Sequence, residues 1–303
     1  MDTQASQIHP EVRGWKEILP VKIYHEVYPT IDPTPAWNAR SFQGKSVFVT
    51  GASRGIGRST AITFAKAGAA VAIAARSQEG LQETKALLLQ EVPEGRVVTY
   101  TVDVTKTSDM EEAMNGAVAT FGGLDVVIAN AGYSNSMDTL MDQREADDWW
   151  RTFEVNLFGV YNAWRSAAKH LRQTKGYFIA ISSIVAQVRW PGSSDYQTSK
   201  HAVNRLVEFI AQENADIKTF SLHPGGVVTE LAAATKLIEQ GAPFPDPPEL
   251  AASTMLYLCS GRADWLNGRY VDANWDLEQV EREWKEKILK NDLLVNKLDV
   301  VGF

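Results

Sequence analysis

The stretch SVFVTGASRGIG, Ser46–Gly57, decides the fold of this chain. It begins with a short β-branched apolar run that is typical of a buried strand, and it opens into a segment, 56–67, with helical spacing. Gly51 permits a tight turn, Gly55 lets a pyrophosphate approach the backbone, and Gly57 lets the helix pack close to the strand. An anion would then bind the free N–H groups at the helix N-terminus. The stretch predicts a phosphate-binding turn, with a glycine-rich surface turn as the alternative on these residues alone.

Short apolar runs alternate with longer helical patterns along the rest of the chain. The runs that predict strands lie at 46–50, 70–75, 96–102, 124–129, 177–182, 217–222 and 268–272. The patterns that predict helices lie at 55–67, 78–91, 107–121, 145–172, 195–214 and 248–260. This alternation predicts a single-domain α/β fold, a doubly wound, Rossmann-like parallel sheet between two layers of helices. Ligands of such sheets bind beyond the carboxyl ends of the strands, where the glycine turn lies.

The composition argues against several classes of function. The formal net charge is −7 at pH 7 and no basic block appears, so no nucleic-acid partner is expected. No apolar run approaches the roughly 18 residues of a membrane span, and the first ten residues do not resemble a signal peptide. The single cysteine, Cys259, lies in an apolar run and predicts a buried, inert thiol. We expect a cytoplasmic protein with a small-molecule substrate, no membrane partner and no metal site.

The two ends of the chain differ from its centre. Residues 1–42 combine five prolines with apolar residues such as Trp15, Ile18 and Tyr24, which predicts an irregular arm packed on its own body or on a partner subunit. A function of this arm over the active site stays open. Residues 43–275 form the predicted catalytic domain. Residues 276–303 begin with an apolar stripe at spacings of three and four, which predicts a helical extension.

The motif YQTSK, Tyr196–Lys200, predicts acid–base chemistry. Its two end residues are four positions apart at the start of a predicted helix, so they share one helical face. A free phenol has a pKa of about 10 and is a poor acid–base group at neutral pH. A neighbouring ammonium favours the phenolate and lowers that pKa, which suits proton transfer to a carbonyl oxygen. A surface Tyr and Lys one turn apart is the alternative reading.

Taken together, these features resemble the short-chain dehydrogenase/reductase family. The resemblance rests on TGASRGIG, on the Tyr196–Lys200 motif, and on the following further features: Asn130-Ala131-Gly132, Asn156, Ser183 thirteen residues before Tyr196, and Pro224-Gly225. It covers about residues 43–275 and implies an NAD(P)(H)-dependent oxidoreductase that interconverts a carbonyl and a secondary alcohol. The alternatives are a lyase or isomerase of the same fold, a cofactor-binding scaffold without turnover, and a methyltransferase.

The resemblance implies a set of catalytic residues. Tyr196 would be the general acid or base, and Lys200 would hold the nicotinamide ribose and lower the pKa of Tyr196. Ser183 would hydrogen-bond the substrate oxygen, with the adjacent Ser182 as the alternative. Asn156 would hold a water that links Lys200 to solvent.

The resemblance also implies a set of cofactor-binding residues. Those of the phosphate turn are Gly51, Ser53, Arg54, Ile56 and Gly57. Those expected near the adenine and its ribose are Asp103, Val104, Asn130, Ala131 and Gly132. Those expected near the nicotinamide are Tyr196, Lys200, Pro224, Gly225, Val227 and Thr229.

The end of the second predicted strand bears on the choice of dinucleotide. A site for NAD needs a carboxylate there for the ribose hydroxyls, and this chain has Ala75 instead. Arg76 follows, and together with Arg54 it could clamp a 2′-phosphate. We expect NADP, with NAD as the alternative if Arg76 only stacks on the adenine.

The substrate and the assembly are less constrained by the sequence. The segment Val227 to Pro248 is apolar and predicts a closable wall of the substrate pocket, with further wall residues at Tyr133, Val188 and Trp190. This lining favours a hydrophobic substrate. Family members usually pair through the helices here predicted at 145–172 and 195–214, so a homodimer is expected. A homotetramer is the alternative, which the extension after Asp276 is expected to block.

Overall fold

A computed structural model describes residue 14 and residues 17–298 of the chain. The predicted features that fall on residues 1–13, 15–16 and 299–303, including Trp15 of the arm, lie outside the described residues. The seven strands are β1 (Ser46–Thr50), β2 (Ala70–Ala75), β3 (Val97–Thr101), β4 (Val126–Ala129), β5 (Tyr177–Ile181), β6 (Lys218–His223) and β7 (Arg269–Asp272). Each begins and ends within two residues of its predicted position.

The strands form one parallel sheet in the order β3-β2-β1-β4-β5-β6-β7. The chain runs outward from β1 to β3 and then returns to the other side of β1 to form β4. The strand order therefore reverses between β1 and β4, which is where such sheets bind ligands at their carboxyl ends. The predicted doubly wound, Rossmann-like fold is confirmed.

Helices cover both faces of this sheet. In chain order they are α1 (Thr34–Ala39), α2 (Gly55–Lys66), α3 (Gln78–Glu91), α4 (Thr107–Phe121), α5 (Ala146–Phe153), α6 (Gly159–Thr174), α7 (Ser194–Glu213), α8 (Glu230–Ala234), α9 (Pro248–Leu258), α10 (Leu277–Gln279) and α11 (Lys285–Lys290). Two π-helical turns, Glu154–Phe158 and Val280–Trp284, join α5 to α6 and α10 to α11. Short 3₁₀ turns lie at Pro29–Ile31, Met141–Gln143, Ile184–Ala186 and Asp264–Leu266. Among residues 14 and 17–298, no helix combines the length and apolarity needed to cross a membrane.

Two hydrophobic cores lie on opposite faces of the sheet. One packs the helices α2, α3 and α9 on the sheet, together with apolar residues of the arm and the C-terminal extension. The other packs α4, α6 and α7 on the opposite face. The strands β1, β2 and β4 are buried on both sides, which explains their near-continuous apolar runs, whereas the edge strand β3 is only partly buried.

The arm is fixed to the chain that follows β7. The Tyr24 N–H donates to Asn274 O at 2.7 Å, and Ile23 forms an antiparallel bridge with Trp275. The buried Tyr28 hydroxyl donates to Trp275 O at 2.6 Å. The extension contacts the same region from the other end, because the Tyr270 N–H donates to Leu294 O at 2.9 Å. Both extensions therefore pack beside the last strand.

Candidate active site

A cavity of about 910 Å³ opens at the carboxyl ends of the strands. Its volume lies at the upper end of the range for small-molecule sites, roughly 300–1,000 Å³. Every site residue predicted from the sequence lines it except Gly57 and Asn156. We name two regions of the cavity. The catalytic end comprises Ser183, Tyr196 and Lys200, and the outer end comprises His25, His223, Asp246 and Asn274.

The glycine turn has the geometry that its sequence requires. Gly51 and Gly55 both have positive φ angles, +65° and +55°, which side chains rarely adopt. A Cβ at Gly57 would lie 2.5 Å from Gly51 O, so this residue serves close packing and not the cavity wall. Among the described residues no side chain caps α2, and the first helical residues line the cavity. The turn therefore presents free N–H groups to an anion, and it fits the phosphates of a dinucleotide.

Asn130 holds the turn in place. Its Nδ2 donates to Thr50 O at 2.9 Å and to Gly51 O at 3.1 Å. The Thr50 hydroxyl accepts hydrogen bonds from the N–H groups of Asn130 and Ala131, each at 3.0 Å. The side chain of Asn130 is thus occupied with the turn. Thr50, which our sequence analysis did not select, locks β1 to the end of β4.

Arg76, Asp103 and Val104 line the part of the cavity where the sequence predicts the adenine. Partial burial would raise the pKa of Asp103, but hydrogen bonds from Thr105 and the positive charges of Arg151 and Arg76 outweigh it and lower the pKa. Arg54, in the glycine turn, forms an ion pair with Glu230 of α8 at 2.6 Å. Both side chains are more than half exposed, so this pair links the turn to the pocket wall only weakly.

The catalytic end places three polar side chains in an apolar enclosure. The Tyr196 hydroxyl is hydrogen-bonded with that of Ser183, and the Lys200 Nζ donates to Ile181 O at 2.8 Å. Lys200 Nζ lies 5.6 Å from the centroid of the Tyr196 ring. Ser182 also lines the cavity, but its hydroxyl donates to the Lys200 carbonyl at 3.4 Å. The geometry therefore favours Ser183 over Ser182 as the partner of Tyr196.

The pKa values at the catalytic end differ from the sequence-based expectation. Burial raises the pKa of Tyr196 to about 12, and the hydrogen bond with Ser183 only partly opposes it. Burial lowers the pKa of Lys200 from 10.5 to about 8. The expected lowering of the phenol pKa by Lys200 is absent, because desolvation dominates for both groups. The protein alone therefore keeps Tyr196 protonated at neutral pH.

Asn156 lies behind the cavity wall within the π-helical turn. Its Oδ1 accepts from the Tyr133 N–H at 2.8 Å, and its Nδ2 donates to Tyr133 O at 2.9 Å and to Ser199 Oγ at 3.1 Å. The Ser199 hydroxyl in turn donates to Tyr196 O at 2.8 Å. Asn156 thereby ties the loop after β4 to the helix that carries Tyr196. Such π-turns are frequent at functional sites because they disturb the regular helical hydrogen bonds.

The segment from Val227 to Pro248 forms one wall of the cavity, as predicted for the substrate pocket. Thr229 caps α8 by accepting the Ala232 N–H at 3.1 Å, and it lines the cavity. Leu231, Leu237 and Phe244 supply apolar surface. Tyr133 and Trp190 also line the cavity, whereas Val188 is buried elsewhere.

The outer end was missed by our sequence analysis. His25 comes from the arm, His223 from the end of β6, Asp246 from the pocket wall and Asn274 from the chain after β7. The residues are far apart in sequence and follow no spacing that indicates a common site. The one available signal was the apolar character of the arm, which predicted packing and not the identity of the residues it covers.

Comparison with known sequences and structures shows which proteins this chain is similar to. The sequence model of the short chain dehydrogenase family matches residues 45–239. A short chain dehydrogenase of Monascus purpureus is 37% identical over 284 residues, 91% of this chain and 95% of the relative. The structure of an alcohol dehydrogenase from the archaeon Thermococcus sibiricus, complexed with 5-hydroxy-NADP, matches with a TM-score of 0.65 at 27% identity, covering 75% of this chain and 95% of that chain. The structure of a 7α-hydroxysteroid dehydrogenase, complexed with NADH and 7-oxo glycochenodeoxycholic acid, matches with a TM-score of 0.69 at 26% identity. The match covers 77% of this chain and 94% of that chain.

Proposed function

The chain belongs to the short-chain dehydrogenase/reductase family of NAD(P)-dependent oxidoreductases, and from that premise we propose that it interconverts a carbonyl and a secondary alcohol on an apolar substrate with NADP(H). The observation that carries the proposal is the meeting of Ser183, Tyr196 and Lys200 in the same cavity as the glycine turn. A nicotinamide dinucleotide supplies or accepts the hydride when it is bound.

Tyr196 is the acid–base group of the proposed reaction. Because burial raises the pKa of Tyr196 to about 12, its hydroxyl carries a proton at neutral pH and can donate it to the oxygen of a ketone. Ser183, hydrogen-bonded with Tyr196, is placed to donate to the same oxygen as negative charge develops. In the opposite direction the phenolate would accept the alcohol proton.

Lys200 contributes charge and hydrogen-bond donors. A Cβ at Gly132 would lie 3.8 Å from its Nζ, an ordinary contact distance, so Lys200 packs beside the loop after β4. With a pKa of about 8, the amine is mostly protonated at neutral pH, and it can donate to ribose hydroxyls and stabilise a phenolate. Asn156 holds the loop and helix that frame this group.

NADP is the proposed dinucleotide, with NAD as the alternative. Ala75 at the end of β2 offers no carboxylate to repel a 2′-phosphate. Arg76 and Arg54 line the cavity on this side, and Arg54 would have to exchange Glu230 for the phosphate. The two solved relatives above were complexed with an NADP derivative and with NADH, so they support either dinucleotide.

The assembly that we propose is a homodimer through α5, α6 and α7. Large apolar side chains are exposed on these helices and the π-turn between them: Trp150, Phe158, Tyr161 and Phe209. A tetramer through β7 is disfavoured because the extension covers it: Tyr270 N–H donates to Leu294 O, and Arg269 donates to Leu293 O at 2.6 Å. Sedimentation equilibrium of the full chain should give a dimer, and a tetramer would contradict this assignment.

NADPH titration followed by NADPH oxidation tests the proposal. We expect the fluorescence of NADPH to change on binding and its absorbance to fall with at least one member of a panel of apolar ketones and quinones. Binding without turnover of any member would favour a cofactor-binding scaffold. Absence of NADPH and NADH binding would contradict the proposal outright.

A further inference from the structure

The outer end of the cavity is assembled mostly from segments beyond the family match at 45–239. His25 lies in the arm, and Asp246 and Asn274 follow the matched region. The arm segment is held beside this end because Asn274 Nδ2 donates to Tyr24 O at 2.8 Å. The outer end therefore combines His223 with residues from outside the segment that the family model describes.

His223 makes no side-chain hydrogen bond to any described residue. The residue is 7% exposed and lines the cavity. Its Nδ1 is enclosed, so Nε2, which is not fully enclosed, is the ring nitrogen that a ligand could reach. Burying a polar group without a hydrogen bond is unfavourable, and a bound ligand at the cavity would supply the missing partner. The imidazole lies on β6 opposite Asp272 of β7, yet no hydrogen bond joins the two side chains.

Asp246 is fixed between the arm and the pocket wall. Its Oδ1 is 2.7 Å from His25 Nδ1, and its Oδ2 accepts the Gly226 N–H at 2.6 Å. A Cβ at Gly225 would lie 2.7 Å from Asp246 Oδ2, so the carboxylate lies directly on the turn after β6. Both carboxylate oxygens therefore already have partners.

The charges at this end select the chemistry of a ligand. Burial lowers the pKa of His223, so its ring is neutral at physiological pH and offers one donor and one acceptor. Asp246 and Asp272 both act electrostatically on this ring, and they would repel a carboxylate bound beside it. A neutral hydroxyl can both donate and accept, so it can pair with Nε2 of His223 in either tautomer without that repulsion.

We propose that the outer end binds a hydroxyl group of the substrate through His223, in a pocket wall held by His25 and Asp246, so that the enzyme prefers apolar ketones that also carry a hydroxyl group. This assignment rests on the proposed function for the reacting carbonyl. It names the chemical class of the substrate that the catalytic end alone does not define.

A matched set of ketones tests this assignment. Tetralone, its ring-hydroxylated isomers and a ring-carboxylated analogue are compared by kcat/KM with NADPH for the full-length protein and for His223→Phe. We expect at least one hydroxylated isomer to exceed the parent ketone, and His223→Phe to lower that ratio about 10-fold. A general structural defect would lower kcat/KM for both ketones and leave the ratio unchanged. His223→Gln, which keeps a donor and an acceptor, should retain part of the preference, and His170→Phe on α6 is the matched control.

The outcomes separate this assignment from the proposed function. If ketones are reduced without a hydroxyl preference, or if the preference survives His223→Phe, the assignment is wrong while the function stands. A preference for the carboxylated analogue also overturns it. If no ketone is reduced, calorimetric binding of the same set to the Tyr196→Phe protein with NADPH decides it, because the preference must again disappear with His223→Phe. His223→Leu replaces His223→Phe in every measurement if the latter does not fold.

Discussion

The catalytic end and the outer end of the cavity are held by different kinds of contact. Tyr196 and Lys200 lie one turn apart on α7, and Asn156 fixes that helix to the loop after β4 with three hydrogen bonds. His25 and Asp246 are 221 positions apart, and one hydrogen bond joins the exposed His25 ring to the buried Asp246 carboxylate. The difference suggests a rigid site for the chemistry and a separately built site for selecting the substrate.

The largest expected effect is the loss of turnover when the acid hydroxyl is removed from the catalytic end. Tyr196→Phe keeps the ring and its packing but removes the acid hydroxyl, so turnover should fall on the order of 1,000-fold with NADPH binding retained. Steady-state rates measure the fall in turnover, and an NADPH titration measures whether binding is retained. Tyr100→Phe on β3 is the matched control and should keep the parent rate.

The second prediction concerns stability at the catalytic end. The buried Lys200 has a pKa lowered to about 8 from 10.5, so between these values the unfolded chain binds more protons than the folded one. The loss of folding free energy caused by the buried charge of Lys200 is therefore complete below about pH 8, and it declines as the pH rises toward 10.5. Lys200→Met should stabilise the protein without cofactor by about 3 kcal/mol near pH 7 while abolishing turnover.

Denaturant unfolding at about pH 7 and about pH 9.5 measures this gain in the free energy of unfolding. The gain should shrink at the higher pH, and Lys169→Met, at an exposed position of α6, should show neither effect. A gain that is the same at both pH values would show that the charge of Lys200 is not its cause.

The third prediction concerns the dinucleotide and leaves both ends of the substrate cavity intact. Ala75→Asp combined with Arg76→Ala places a carboxylate where the ribose hydroxyls would lie and removes a guanidinium from the 2′-phosphate. The ratio of Kd values should shift toward NAD by about 30-fold. Arg96→Ala, at the amino end of β3, is the control. Tighter binding of NAD than NADP by the parent protein would refute the cofactor assignment.

The smallest expected effect sharpens the contrast at the outer end. His25→Ala removes the arm's contact with Asp246, and we expect KM for the preferred substrate to rise about 3-fold. The effect is small because the His25 side chain is 57% exposed, so water can replace much of its hydrogen bond with Asp246. His170→Ala is the matched control. An effect on kcat larger than that on KM would place the arm in the chemistry and not in selection.

The sequence was most informative where function depends on local spacing. The three glycines, the four-residue separation of Tyr196 and Lys200, and the alternation of strands and helices follow from short-range geometry, and the strands appear where predicted. Electrostatics were harder to predict, because the burial that raises the pKa of Tyr196 and lowers that of Lys200 depends on the complete fold. The outer end could not be predicted at all, since His25 meets Asp246 only after the arm packs beside β7.

One kinetic comparison tests the division between chemistry and selection most directly. The parent protein, Tyr196→Phe, His223→Phe and the double variant are assayed with NADPH on tetralone and on its preferred hydroxylated isomer. We predict that Tyr196→Phe lowers kcat/KM for both ketones by the same factor, that His223→Phe lowers their ratio, and that the two free-energy changes add in the double variant. A Tyr196→Phe variant that turns over both ketones within a few-fold of the parent would contradict the account.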